Sequence, residues 1–547
     1  MGRLARTHVD ESGMNGRQEG ASRNDGAKLS GAPPHGEMTF RAVEAEIQEA
    51  TMNSARQGTD SQPSHQLLAG VAKVDITDYD AGAANDPLYA KALVLRNDAT
   101  EVVIVTVDAV ALEEIGPIRG NYLSNVRTAL QQDLGIQPTD VLINASHCHG
   151  IVSSETDLRT VQAVKEARQN MAPVAIHVGR GHEDRIMENR RLRLKNGSEA
   201  DVRHAYSLPS DAEVVAVGPV DPEIGILQLK REDGRTLAVV YNFACHPIQG
   251  VPGGGSTADI VGFASKVIED NLSDGTIALF LQGCAGDINP VWYKDVDHPR
   301  DAEPLGNLLG LSVLQALRKA RRAEDTQLRV ACEAIELPRA DLAPYIDSLQ
   351  SKQSRLLESL KGTTLNLKTF LSLAVKHGLS PDFPSYYSHR YLHDNMMGRG
   401  DLDRLDAENR RNMAAYIENI HIMEQLTRVQ ENLSLLKMHH AQNVAAGKTR
   451  TLESNTLDAE VMGLRIGEFV LVTFPGELSV QIGLNVKQRS PHEFTFVAGY
   501  TNGYIYYAPT AEQLQNRGGA QEDSDCLLAP EWQRLFEEKA AAMLMNL

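Results

Sequence analysis

Three stretches of the chain repeat one alternation of apolar and polar positions. In the first, the unbroken run VVIVTVD (102–108) is followed by a helical spacing near 117–134 and by VLINAS (141–146). In the second, LAVVYNFA (237–244) leads into a helical stretch near 259–272 and then IALFLQ (277–282). In the third, FVLVTF (469–474) precedes a helix near 478–488 and FTFVAGY (494–500). Each unit is strand, helix, strand, and strands apolar at every position are covered on both faces. The pattern predicts an α/β fold, with a mostly parallel sheet sandwiched by helices.

Between about 338 and 447 the period changes. Leu342, Ile346, Leu349, Leu356 and Leu360, and later Met413, Ile417, Ile420, Met423 and Leu426, fall close to helical stripes. These predict a helical insertion between the second and third units, either a lid or a buttress of the sheet. Residues 1–66 are polar and rich in Gly and Ser, with one short helical spacing near 38–52. The expected organisation is a disordered leader followed by one domain, 67–547.

Residue types that carry chemistry follow these strands. VLINAS runs into His147-Cys148-His149, LAVVYNFA into Cys245-His246, and FVLVTF into Pro475-Gly476-Glu477. IALFLQ continues as Gly283–Pro290, and FTFVAGY as the turn Asn502–Tyr507. In open α/β sheets ligands bind where strand C-termini and helix N-termini converge, so these distant segments are expected to meet. Two histidines, a glutamate and a tyrosine oxygen form a donor set compatible with zinc. Each also has a plainer reading, such as Glu477 stabilising a helix N-terminus. Cys148, Cys245 and Cys284 flank the motifs and suit small buried packing better than ligation. The run Gly253–Thr257 lacks a P-loop lysine, so a loop with Ser256 or Thr257 capping a helix is expected. His439-His440, near the end of the insertion, is expected to face solvent.

Charge narrows the partners. The 547 residues hold 54 Lys and Arg against 72 Asp and Glu, a net −18, which repels nucleic acid and anionic lipid. A small-molecule substrate is expected instead. No apolar run reaches 18 residues, so no transmembrane segment is expected. Five cysteines make no disulfide framework, and without a visible apolar signal segment the expected location is cytoplasmic.

NASHCHG (144–150), NFACHP (242–247), GCAGDINP (283–290), FPGELSV (474–480) and the Asn502–Tyr507 turn together resemble the N-terminal catalytic domain of the neutral ceramidase family. AGVAKVDIT and Glu188-Asn189-Arg190 match as well, so the resemblance covers roughly 68–335 and 455–520. It implies one zinc per chain held by His147, His246, Glu477 and Tyr507, with His149 as acid/base and Arg190 near the substrate. The family hydrolyses the amide bond of N-acyl sphingoid lipids. Asn289 stands where the family has a serine, and Gly519 where it has a substrate-contacting tyrosine. The chain is also expected to lack the family's C-terminal β-sandwich.

The combined expectation is a zinc-dependent hydrolase of amidohydrolase type, attacking a small polar substrate with a metal-bound water. Its catalytic residues would be His149, Arg190, Asn289 and Tyr507, with Asn289 hydrogen-bonding the substrate or that water. The alternatives are a neutral ceramidase acting on lipid and a non-catalytic binding protein with a structural zinc.

Overall fold

The computed structural model of the chain describes residues 66–97, 100–202, 208–250, 256–293, 295, 297–384, 388–449 and 455–547. The expected leader, apart from Gln66, lies outside the described residues, as do Gly253, Gly254 and Gly255. None of the described helices is long and apolar enough to cross a membrane.

The large sheet is built from β1 (Leu68–Asp75), β2 (Tyr89–Arg96), β3 (Glu101–Val107), β4 (Val141–Ala145), β5 (Ala172–His182), β6 (Glu223–Arg231), β7 (Thr236–Phe243) and β8 (Ile277–Gln282). Their order in space is β8-β7-β6-β5-β1-β2-β3-β4, and the short strand Arg321–Arg322 also pairs with β5. A second sheet holds β9 (Leu328–Pro338), β10 (Thr456–Ile466), β11 (Phe469–Thr473) and β12 (Phe494–Ala498), in that order.

The three strand–helix–strand units are present. β3 and β4, β7 and β8, and β11 and β12 pair in parallel, joined through the helices Tyr122–Leu134, Asp259–Asp270 and Val480–Arg489. The α/β class holds, but the expectation of a mostly parallel sheet does not. The other pairings within these two sheets are antiparallel, so the parallel pairs of the large sheet sit only at its two edges. An apolar run reports burial on two faces and not strand direction. Here β2 and β6 are buried along most of their length while running antiparallel.

This topology sets three strand ends against one another. The large sheet curls until its edges meet through side chains. The Gln282 N–H donates to Asn144 Oδ1 at 2.9 Å, and Thr106 Oγ1 donates to the Phe280 carbonyl at 2.7 Å. Asn144 Nδ2 also donates to the Gly499 carbonyl at 2.7 Å, and Asn242 Nδ2 to Leu281 and Val497. Asn144 and Asn242 thereby tie the C-terminal ends of β4, β7, β8 and β12 together. One core of Leu227, Leu279, Leu464, Phe469, Leu471 and Phe496 fills the space between the sheets. Each such phenylalanine contributes about 1.5–3 kcal/mol by burial. Gly225 is required there, because a Cβ would stand 2.5 Å from the Phe496 ring.

β9 and β10 form a ladder from Leu328↔Ile466 to Pro338↔Thr456, and the helices Ala343–Glu358, Leu367–Leu379, Ser388–Met396 and Asp401–Thr449 lie between its ends. Leu342 and Leu349 pack on Val429, Leu433 and Leu436. Of the second sequence stripe, Leu426 is buried while Ile417, Ile420 and Met423 are exposed, so the buried seam lies one to three turns further along the long helix.

Candidate metal centre and active site

β4 delivers His147 in a left-handed conformation, φ 67°, with its N–H on the Ala109 carbonyl at 2.9 Å. Tyr500, Asn502 and Tyr506, in the loop after β12, also have positive φ. Non-glycine residues held there carry strain of about 1–3 kcal/mol each, which packing must hold in place. β7 delivers His246. Glu477 and Tyr507 come from two short strands that pair in parallel with Glu477 directly opposite Tyr507, which sets them side by side.

His147, His246 and Glu477 are buried, and their ligand atoms lie within 4.8 Å of one another. The orientation of both rings is fixed from behind. His147 Nδ1 lies 2.6 Å from the Val110 carbonyl, and His246 Nδ1 lies 3.0 Å from the Ile288 carbonyl. A carbonyl only accepts, so each Nδ1 carries the proton and each Nε2 lone pair points inward. His246 Nε2 is 3.1 Å and His147 Nε2 3.7 Å from Glu477 Oε2. Burial lowers His147 to about 4, so its ring is neutral at pH 7. Burial alone would raise Glu477, but the neighbouring histidines and hydrogen bonds hold it far below the usual carboxylate range. Two histidine nitrogens thus face a carboxylate oxygen, a group that could hold a divalent cation.

Two tyrosines that the sequence reading passed over complete the carboxylate's shell. Tyr504 OH donates to Glu477 Oε1 at 2.5 Å and Tyr500 OH to Oε2 at 3.1 Å. Burial, then the Glu477 charge, raises both phenols well above their ordinary value, so they act as donors.

The centre forms one end of a cavity of about 280 Å³, whose wall includes His149, Arg190, Tyr293, Tyr507 and Asp525. His149 is exposed, with its ring 5.6 Å from that of His147. Arg190 is buried at 1% exposure and heavily committed. Its Nε donates to Glu522 Oε1 at 2.6 Å, Nη1 to Asn289 Oδ1 at 3.0 Å, and Nη2 to the Gly286 carbonyl at 2.6 Å and Tyr507 OH at 3.2 Å. Asn289 is therefore behind Arg190 and off the cavity wall, held by the strand pair Ile288–Pro290 with Met187–Asn189. Its side-chain oxygen receives an Arg190 N–H, so Asn289 is joined to the cavity wall through Arg190. Glu522, absent from the sequence reading, neutralises Arg190 from the single-turn helix Gln521–Ser524.

His439 also departs from expectation. It is fully buried, with Nε2 2.6 Å from Asp525 Oδ1, Nδ1 2.9 Å from Gln442 Oε1, and its ring against Tyr506. The long helix thus reaches the cavity wall. Cys148, Cys245 and Cys284 are buried free thiols, raised by burial and outside the donor cluster.

A pH dependence follows from His147. In the metal-free chain its folded pKa lies below the ordinary 6.5, so the unfolded chain takes up this proton first as pH falls. Stability is then expected to drop between about 6.5 and about 4, by on the order of 3 kcal/mol at most. Urea midpoints measured in chelator should fall more steeply over this window for wild type than for His147→Phe. Equal slopes would mean that His147 is already solvated.

No protein-family model and no curated protein matches the chain. Among solved structures, neutral ceramidase from Pseudomonas aeruginosa superposes with TM-score 0.54 at 16% identity, over 88% of this chain and 75% of that one. A ceramidase complexed with C2 superposes with TM-score 0.55 at 17% identity, over 88% and 76%. At 16–17% identity, what both matches establish is architecture. The chain has the fold of neutral ceramidase.

Proposed function

We propose that this protein is a zinc-dependent hydrolase that cleaves the amide bond of a small, polar N-acyl compound. The observation that carries the proposal is the buried His147–His246–Glu477 cluster opening onto a cavity walled by His149, Arg190 and Tyr507. His147, His246 and Glu477 would hold the ion, with Tyr507 beside them. A zinc ion so held would lower the pKa of a bound water towards about 7 and polarise a carbonyl.

The remaining roles belong to the chain. No serine, threonine or cysteine lines the cavity among the described residues, so water is the nucleophile and no acyl-enzyme forms. His149, at the wall and outside the donor cluster, donates the proton to the departing amine nitrogen. The Tyr507 phenol hydrogen-bonds the carbonyl oxygen as charge develops on it. Arg190 orients Tyr507, and Asn289 and Glu522 fix Arg190. A cavity of about 280 Å³ lies at the small end of ligand sites, which favours a compact substrate.

The second reading, hydrolysis of N-acyl sphingoid lipid, is favoured by the ceramidase fold. Zinc-loaded protein assayed on short N-acyl amines and on long-chain ceramide in micelles separates the two. Release of acid and amine from the short compounds, with little from ceramide, is expected. Ceramide cleavage at the faster rate would replace the first reading with the second, and cleavage of neither would overturn both.

His149→Ala should leave zinc content unchanged and slow turnover by about 10²–10⁴-fold, the usual scale of general acid help. Loss of zinc from this variant, measured by mass spectrometry, would make His149 a ligand.

A further inference from the structure

A second cavity, about 530 Å³, lies at the opposite end of the large sheet. β7 runs from Thr236 towards His246, and the pairing Lys230↔Thr236 puts this cavity at its start, roughly 20–25 Å from the centre. Strand register explains its composition. Lys230 is paired with Ala175 on one side of β5, and Arg322 with His177 on the other. Paired residues, and residues two apart on one strand, project from the same face. Lys230, Arg322 and His177 therefore project together into the cavity, and Arg231 joins its wall.

Two observations set this cluster apart from an ordinary basic surface. In a chain of net charge −18, Lys230, Arg231 and Arg322 have no ion-pair partner among the described residues. In addition, Arg231 Nε and Thr326 Oγ1 are buried without any hydrogen-bond partner. A buried polar group left unmatched is destabilising, and both atoms can donate. Three cations and these two donors line one space, whose other walls include Leu67, Pro173 and the acidic Glu232.

We propose that this cavity binds a small organic phosphate. Its oxygens accept from Arg231 and Thr326, Lys230 and Arg322 supply the charge, and an apolar body lies on Leu67 and Pro173. The volume exceeds what a bare phosphate fills and lies within the range of small-molecule sites, about 300–1,000 Å³. The site is independent of the hydrolase reading, since none of its residues belongs to the metal centre.

Calorimetry on the full chain tests it, with hexyl phosphate and inorganic phosphate as probes. Hexyl phosphate should bind one to one, and more tightly than inorganic phosphate. Lys230→Glu/Arg322→Glu should weaken it at least about tenfold, the scale of losing a charged hydrogen bond. Both side chains lie outside the sheet core, so circular dichroism and zinc content should match wild type. A milder pair, Lys230→Gln/Arg322→Gln, should give an intermediate loss, and serves if charge reversal disturbs folding. No binding of hexyl phosphate, or binding undiminished in both variants, would overturn the site. Inorganic phosphate binding as tightly as hexyl phosphate would overturn the apolar body.

Discussion

Purified protein carrying His147→Ala and His246→Ala is expected to hold zinc only at background, against close to one ion per chain in the wild type. The two Nε2 atoms are the nitrogen donors of the centre, and each is aimed by a backbone carbonyl that holds Nδ1. Losing a supporting hydrogen bond of that kind weakens metal sites by about 10–100-fold. Losing both donors outright removes far more, leaving Glu477 and a neutral phenol. Each single variant should fall between the two limits. The chain should still fold, because the rings sit at strand ends and outside the inter-sheet core. Stoichiometric zinc in the double variant would show that the ion sits elsewhere, and with it the proposed hydrolase would fall.

Glu522→Ala is expected to destabilise the chain by about 3–5 kcal/mol, the scale of leaving one partner of a buried ion pair uncompensated. Arg190 and Glu522 are each about 1% exposed and lie 2.6 Å apart. Arg191 leans on the same acid at 3.4 Å while also pairing with Asp523 at 2.8 Å. Without Glu522, the two guanidiniums share the remaining acids in a space that water does not reach. Replacing the pair together, Arg190→Met with Glu522→Leu, should be milder, because no charge is then stranded. Urea midpoints with unchanged slope would measure both. A loss below about 1 kcal/mol in the single variant would place the pair in solvent, on the scale of surface bridges.

How much of this was legible in the sequence follows from what each signal reports. The three strand–helix–strand units were visible because their apolar runs and helical spacing are local. Their strand ends announced His147, His246 and Glu477 for the same reason. Strand direction was not visible, since β2 and β6 are buried along most of their length, as parallel strands are, and differ in their partners. Tyr500 and Tyr504 gave no signal of their own, because their meaning lies in Glu477, more than one element away in sequence. Glu522 sits in a single-turn helix with no periodicity, and His439 looks like any polar residue on a long helix. Only the approach of Asp525 gives it a role.

The ladder between β9 and β10 has a consequence for how the chain finds its fold. Its last rung joins Pro338 to Thr456, so the ladder closes a loop containing the entire set of four insertion helices. Closing long loops costs entropy that grows as about (3/2)RT ln n, and such contacts slow folding. The packing of Leu342 and Leu349 on Val429, Leu433 and Leu436 shortens that search. The two clasped helices hold the ends of β9 and β10 near each other. The second sheet, with Glu477 and Tyr507 beyond it, is thus built on two strands remote in sequence whose ends the clasped helices hold together.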